Sequence, residues 1–548
     1  MLLSAATRPE ALRRSGLRWW EDERFAIGWT GHLYLPGHAG GAPSVAGVAA
    51  ALETADFAEV AARLAGVFGL FVFDKLRGGW QASVDNSGLY KVFHDAEGAS
   101  TSFLELVKAR RIGRADLDLA VLVEYLAQGQ VLGSRTFVTG IERLSGREIL
   151  ELPRDGAPPR LRPKPLPDSE PGGTRTVLDR FAALARSLEG HALSVDATGG
   201  FDSRLIVCLL DGHALPFELA TSGPPGIADA EIARTIARLL GRPFHLTGHD
   251  LGDLDAELVL TFRAGDGITD LRRFHRDWQH ARARLARGIE VMAHGGGGEL
   301  YRDHCFVQDF PFYGSRRVDL ERYYNLRIAP AGLPPGALTP VGRELLAAAR
   351  SSVLARLQGC LAPTNNETYD RIYFLLRSPE HFGQHCTNYV NMGLDVVAPL
   401  LDYPCGLAAI GLPPWSRFFY GWHRRVITAR CPRLAVLPTA DGFSASGEPT
   451  RMLRDAWWYG ATQLRRAAKK ASQRLSGKAR FYNVGAFAAD AADFMGRLRA
   501  SPHYAAGLER LEATGILTTS HAGEKLRDIH VGRVLTLGMF LSGVDGFA

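Results

Sequence analysis

Ser194–Arg204, SVDATGGFDSR, is the stretch of this chain whose residue types and spacing could do chemistry. It reads as a β-strand that runs through the turn Thr198-Gly199-Gly200-Phe201-Asp202-Ser203 into a helix. Adjacent glycines let backbone N–H groups close around an anion with no Cβ in the way. The helix that follows aims its N-terminal partial positive charge at the same spot. Asp202 disfavours a bare phosphate there, yet it can hold Mg²⁺ that bridges phosphates. Ser203 can cap the helix or bind an oxygen. No Gly-Lys-Ser/Thr follows and there is no GxGxxG, so neither common phosphate loop is present. A plain strand–turn–helix junction would use the same residues. A second cluster, His381, His385 and Cys386, has the i, i+4 spacing of a zinc pair, but no carboxylate pattern completes it and zinc is not expected.

The surrounding elements must place that turn. Before it, short β-rich runs (Phe25–Trp29, Leu33–Leu35, Gly69–Phe73, Trp80–Val84) and a helix-like Ala115–Gln128 suggest an α+β unit over residues 1–155. Residues 156–175, rich in Pro, Gly and charge, read as a linker. From 176 to 548 strands alternate with helices: Val177–Leu188, His191–Asp196, Asp202–Leu210, Phe217–Ala220, Asp229–Leu240, Trp278–Arg287 and Ile289–Ala293. That alternation predicts a parallel sheet covered on both faces, followed by a mostly helical region from about 340. The fold class expected is therefore α/β.

Composition excludes more than it selects. The 548 residues are 46% hydrophobic and 22% charged, as in ordinary globular proteins. No apolar run spans a membrane and the N-terminus lacks a signal-type stretch, so the default expectation is a cytoplasmic protein with no membrane partner. The net charge is +6, and the patch Arg465, Arg466, Lys469, Lys470, Arg474 has few interleaved aromatics; it reads as a solvated helix face, and nucleic acid is not expected. Only eight of the 64 basic residues are lysines, none between Lys164 and Lys469. All six cysteines (208, 305, 360, 386, 405, 431) follow residue 207.

T-G-G-F-D-S resembles the S-G-G-x-D-S pyrophosphate loop of the asparagine synthetase family and its ATP pyrophosphatase relatives. Four further segments are similar in order. They are Leu64–His94 with Asp85 at the family's Arg-Asp aspartate, Glu124–Glu148, Val291–Tyr301 (VMAHGGGGELY) at the Gly-Glu-Gly-Ala-Asp-Glu loop, and Met392–Asp402 (MGLDVVAPLLD) at the Glu-Val-Arg segment. The resemblance covers roughly residues 25 to 445. It implies an N-terminal Ntn-type amidotransferase-like sandwich, then a PP-loop synthetase domain with a helical C-terminal part. That second domain would use ATP and Mg²⁺ to adenylate a carboxylate, which an amine then attacks.

The resemblance also shows departures. Leu2 follows Met1, no cysteine precedes Cys208, and the glutamine-binding Asn-Gly-Glu is Thr30-Gly31-His32. Glutamine hydrolysis is therefore expected to be lost, as in β-lactam synthetases and lasso-peptide macrolactam cyclases, leaving another amine donor. The expected substrates are a carboxylate and an amine, a precursor peptide being one form, with oligomerisation open. The resemblance gives Thr198, Gly199, Gly200, Phe201, Asp202, Ser203, Gly296 and Gly297 to the nucleotide. Asp202 and Glu299 are the candidate metal ligands, because the family's second metal aspartate is Gly298 here. Asp395 stands at the family glutamate near the attacking amine. His294 could act as acid/base, contact phosphate or simply pack the loop. The family's pyrophosphate lysine is Ala440, and the family arginine two residues after that glutamate is Val397; Arg424, Arg425 or Arg430 could supply a cation instead. A catalytically silent, nucleotide-binding homologue is the competing expectation.

Overall fold

The strand Ala65–Asp74 is apolar on both faces, and both faces are covered. Phe68, Leu70 and Val72 share a core with the helices Val45–Thr54 and Phe57–Arg63; Val67 and Phe71 share another with Leu3, Val92 and Ala99. This alternation follows from the two-residue period of a strand. The strand is central in a six-stranded antiparallel sheet of order Arg160–Pro163, Glu148–Leu152, Trp80–Val84, Ala65–Asp74, Phe25–Tyr34, Arg18–Glu21. A four-stranded antiparallel sheet (Leu2–Ser4, Gly98–Ser100, Phe93–His94, Glu142–Arg143) accompanies it. In this computed structural model the described residues are 2–4, 7, 10, 16–37, 45–154, 157–248, 252–302, 314–440, 442–476, 488–518, 523 and 526–546. Cys305 and the side chains of Arg466, Lys469, Lys470 and Arg474 lie outside them.

Two front-end expectations change. Phe25–Trp29 and Leu33 and Tyr34 of the second run belong to one strand, Phe25–Tyr34. Arg160–Pro163, expected in the linker, forms the sheet's edge strand, where Pro163 is tolerated and Arg162 pairs with Glu151 and Asp56.

The second region holds a five-stranded parallel sheet: β1 (Leu193–Asp196), β2 (Glu218–Ser222), β3 (Phe244–Thr247), β4 (Val291–Ala293) and β5 (Asp395–Val397). The order is β3-β2-β1-β4-β5. Helix α1 (Phe201–Asp211) follows β1, and α2 (Ala228–Leu240) joins β2 to β3. Helices α3 (Asp277–Leu285) and α4 (Ser378–Asn391) precede β4 and β5, and α5 (Gly421–Arg430) lies beyond. The α/β expectation thus holds in its coarse form, a mixture of helices with parallel and antiparallel sheets. Strands β3 and β5 have no apolar run long enough to be read from sequence. The helix Asp528–Asp545 returns to the front sheets, where Phe540 stacks on Phe103 at 5.5 Å. No helix among the described residues is long and apolar enough to cross a membrane.

Candidate functional site

The strand order reverses between β1 and β4, and in open parallel sheets ligands bind in the crevice outside the strand ends at such a point. Thr198–Ser203 leaves β1 there and His294–Gly298 leaves β4. The two loops touch: a Cβ at Gly295 would lie 3.1 Å from Ser203 N. Gly200 caps α1 without a side chain, so the N–H groups of Phe201, Asp202 and Ser203 have no intrahelical acceptor. Within the loop, Thr198 N–H donates to Ser203 Oγ (3.1 Å) and Gly200 N–H to Thr198 Oγ1 (3.2 Å). Gly199 N–H donates to Asp229 Oδ1 at 2.7 Å, so the acidic start of α2 does more than complement a helix dipole. Gly199 is required by packing, since a Cβ would stand 2.8 Å from Ile232 Cδ1 and 2.9 Å from Ala440. The Phe201 ring is buried under Tyr420, stacked at 4.1 Å, and leaves only its backbone to a ligand.

Among the described residues, Arg302 brings a cation to this site. Its Nη2 lies 3.4 Å from Asp202 Oδ2 and 3.1 Å from Glu299 Oε1, and its Nη1 donates to Tyr420 Oη at 3.2 Å. Burial alone would lower the guanidinium's pKa; Asp202, Glu299 and Tyr420 outweigh it and raise it. Glu299 Oε2 accepts the hydroxyl of Tyr373 (2.8 Å), the first residue of a π-helical turn, Tyr373–Arg377. His423 Nε2 stands 2.9 Å from Asp202 Oδ1 but off the line of a hydrogen bond.

Magnesium needs near-octahedral oxygen ligands at about 2.0–2.1 Å. Here both candidate carboxylates share a guanidinium. Gly298 brings no donor, and a Cβ there would lie 2.6 Å from Asp202 Cβ and closer still to its carboxyl carbon. Among the described residues no group of three or more His, Cys, Asp or Glu side chains is arranged to hold a metal ion, at this crevice or around His381, His385 and Cys386. With Asp202 and Glu299 both engaged by Arg302, the described residues as arranged do not form a Mg²⁺ site.

The other expected residues divide. His294 ends β4 but is buried: Nδ1 accepts Gly296 N–H (2.9 Å), which leaves the proton on Nε2, 3.5 Å from Cys386 Sγ. Burial, with the nearby His385, lowers its pKa to about 3, so it is neutral and packs the loop. Gly297 caps the 3₁₀ turn Gly298–Tyr301 that carries Glu299. Asp395 lies apart from the loop, at the beginning of β5 rather than its end, paired with Arg18 at 2.8 Å against the front region. That position follows from parallel register: Asp395 sits beside Val291 and Val397 beside Ala293, so the loop lies two residues farther along. Ala440 does reach the site, its N–H donating to Gly199 O at 3.2 Å, and it is exposed. Arg424 does not supply the missing cation, being buried against Asp455, Ser446 O and Phe419 O; Arg425 donates to Ser416 O.

Arg302, Tyr373, Tyr420 and His423 escaped the sequence reading, as did Arg204, which ties α1 to the carbonyls of Leu437 (2.7 Å) and Pro438 (2.8 Å). Only Arg302 carried a signal, its i, i+3 spacing from Glu299. No protein-family model matches this sequence, and a search of curated proteins finds no matching relative.

Proposed function

We propose that this chain is an ATP-dependent carbon–nitrogen ligase of asparagine-synthetase-like type, with an inactive amidotransferase-like front domain and a PP-loop synthetase domain. The observation that carries the reading is the meeting of two glycine-rich loops at the sheet's switch point, over an uncapped helix N-terminus. The N–H groups of Phe201, Asp202 and Ser203 would receive phosphate oxygens. Arg302, in place of a divalent ion and of the lysine that Ala440 replaces, would offset the charge that pyrophosphate gains as it leaves. A carboxylate oxygen would attack the α-phosphorus and release pyrophosphate; an amine would then attack the acyl carbon and release AMP. Lactam or peptide-macrolactam formation suits a chain without a cysteine before residue 208, since glutamine would not supply the nitrogen.

ATP–pyrophosphate exchange over a panel of carboxylates, with Asp202→Ala alongside, tests this. Exchange that the variant lacks is expected, with no glutamate released from glutamine. One observation favours a second reading, a nucleotide-binding protein without chemistry: Asp229 already accepts the Gly199 amide. ATP binding without exchange on any carboxylate would support that second reading, and no ATP binding would defeat both.

A further inference from the structure

Helix α6 (Pro449–Ser476) is 28 residues long, about 42 Å at 1.5 Å per residue. One side is anchored. Asp455 is buried and pairs with Arg424 at 3.1 Å, and Tyr459 packs on Phe419 at 4.5 Å and Phe418 at 5.7 Å. The opposite side presents an apolar stripe to solvent: Leu453, Trp457 and Leu464 are 75%, 79% and 73% exposed. At 100° per residue these three fall within about 40° of one another, a straight ridge on the helix. The helix is also basic. The helix carries seven Lys/Arg and a single acid, Asp455, which faces inward. Arg454 and Arg465, both exposed, fall about 100–120° round from Leu453 and border the ridge.

From this geometry we propose that the outward face of α6 docks on an anionic membrane surface. Trp and Leu on the ridge would enter the headgroup–acyl boundary, where Trp is favoured, while the bordering arginines meet lipid phosphates with their stems along the apolar layer. The helix would lie on the bilayer, which is compatible with the lack of a spanning helix among the described residues. Charge complementarity selects this occupant. A second copy would bring two surfaces of like charge together. Nucleic acid would satisfy the cations but leave Leu453 and Leu464 in water. The proposal is independent of the nucleotide site.

The test is sedimentation of the full chain with lipid vesicles, neutral phosphatidylcholine alone against the same lipid with about 30 mol% phosphatidylglycerol. Partition onto the anionic vesicles only, weakened by salt and accompanied by a blue shift of tryptophan emission, is expected. The double variant Leu453→Ala/Trp457→Ala should lose at least about tenfold in partition, and Arg454→Gln or Arg465→Gln about fivefold each. All four positions are exposed, so circular dichroism should be unchanged. No partition at low salt, or equal partition by the apolar double variant, would overturn the proposal. So would a dimer, formed without vesicles, that the double variant dissolves: that result assigns the ridge to a second copy.

Discussion

If the proposed function holds, replacing Arg302 by glutamine should convert a metal-independent anion site into a metal-dependent one. In the native chain a single nitrogen lies within 3.4 Å of carboxylate oxygens from both Asp202 and Glu299. The variant keeps both acids and removes the charge that offsets them. A charge-assisted hydrogen bond to phosphate is worth about 1.5–3 kcal/mol, so ATP affinity without metal should fall roughly tenfold to 150-fold. The two uncompensated carboxylates then reach toward a common point that a divalent ion can occupy, and added Mg²⁺ or Mn²⁺ should restore most of the loss. Isothermal titration of ATP into both proteins, in EDTA and in excess Mg²⁺, reads these four cases. The native chain should bind similarly in both buffers, and only the variant should respond strongly to metal. Thermal melts confirm that the variant is folded, and Arg302→Lys, which keeps charge without the planar fork, should fall between. Native binding that requires Mg²⁺, or a variant unaffected in EDTA, would refute the assignment of Arg302.

Three further outcomes are expected. Asp395→Asn should leave ATP affinity within about twofold and shift thermal melts little, because its partner Arg18 is half exposed and burial already raises the Asp395 pKa against that pairing. Ala440→Lys should tighten pyrophosphate and ATP binding about fivefold to tenfold in the same titration, since the exposed side chain begins beside Gly199. Burial lowers the pKa of His32, His294 and His530 to about 3, so each is neutral when folded and protonates near 6.5 when unfolded. Stability should be fully present above about pH 6.5 and fall on acidification toward 3, by about 1.4 kcal/mol per pH unit for each histidine; His294→Gln should remove its share of that slope in melts across pH.

What the sequence made legible follows from local signals. The strand–turn–helix at Ser194–Arg204 was readable because apolar runs, two glycines and a helical period lie side by side. The inner strands Trp80–Val84 and Leu193–Asp196 were readable for the same reason. Strand β5 was not: Asp395–Val397 is three residues long and is a strand only because β4 lies beside it. The site was half legible. Loop residues announce themselves by type, but which end of a strand a residue occupies is a matter of register, and that is how Asp395 was expected in the crevice. Arg302 was hidden by its ordinariness in a chain where 64 of 548 residues are basic. Its role comes from three long-range neighbours, Asp202, Tyr373 through Glu299, and Tyr420. The exposed ridge on α6 was concealed because an apolar stripe at helical spacing normally faces a core.

The most direct test of the crevice is a competition among three ligands on the unmodified chain: ATP, inorganic pyrophosphate and adenosine. If phosphates lodge on the N-terminus of α1 between the two glycine loops, ATP and pyrophosphate should bind and displace one another, with adenosine far weaker. Adenosine binding as tightly as ATP, or no binding of ATP and pyrophosphate at any concentration tested, would contradict a nucleotide site at this switch point.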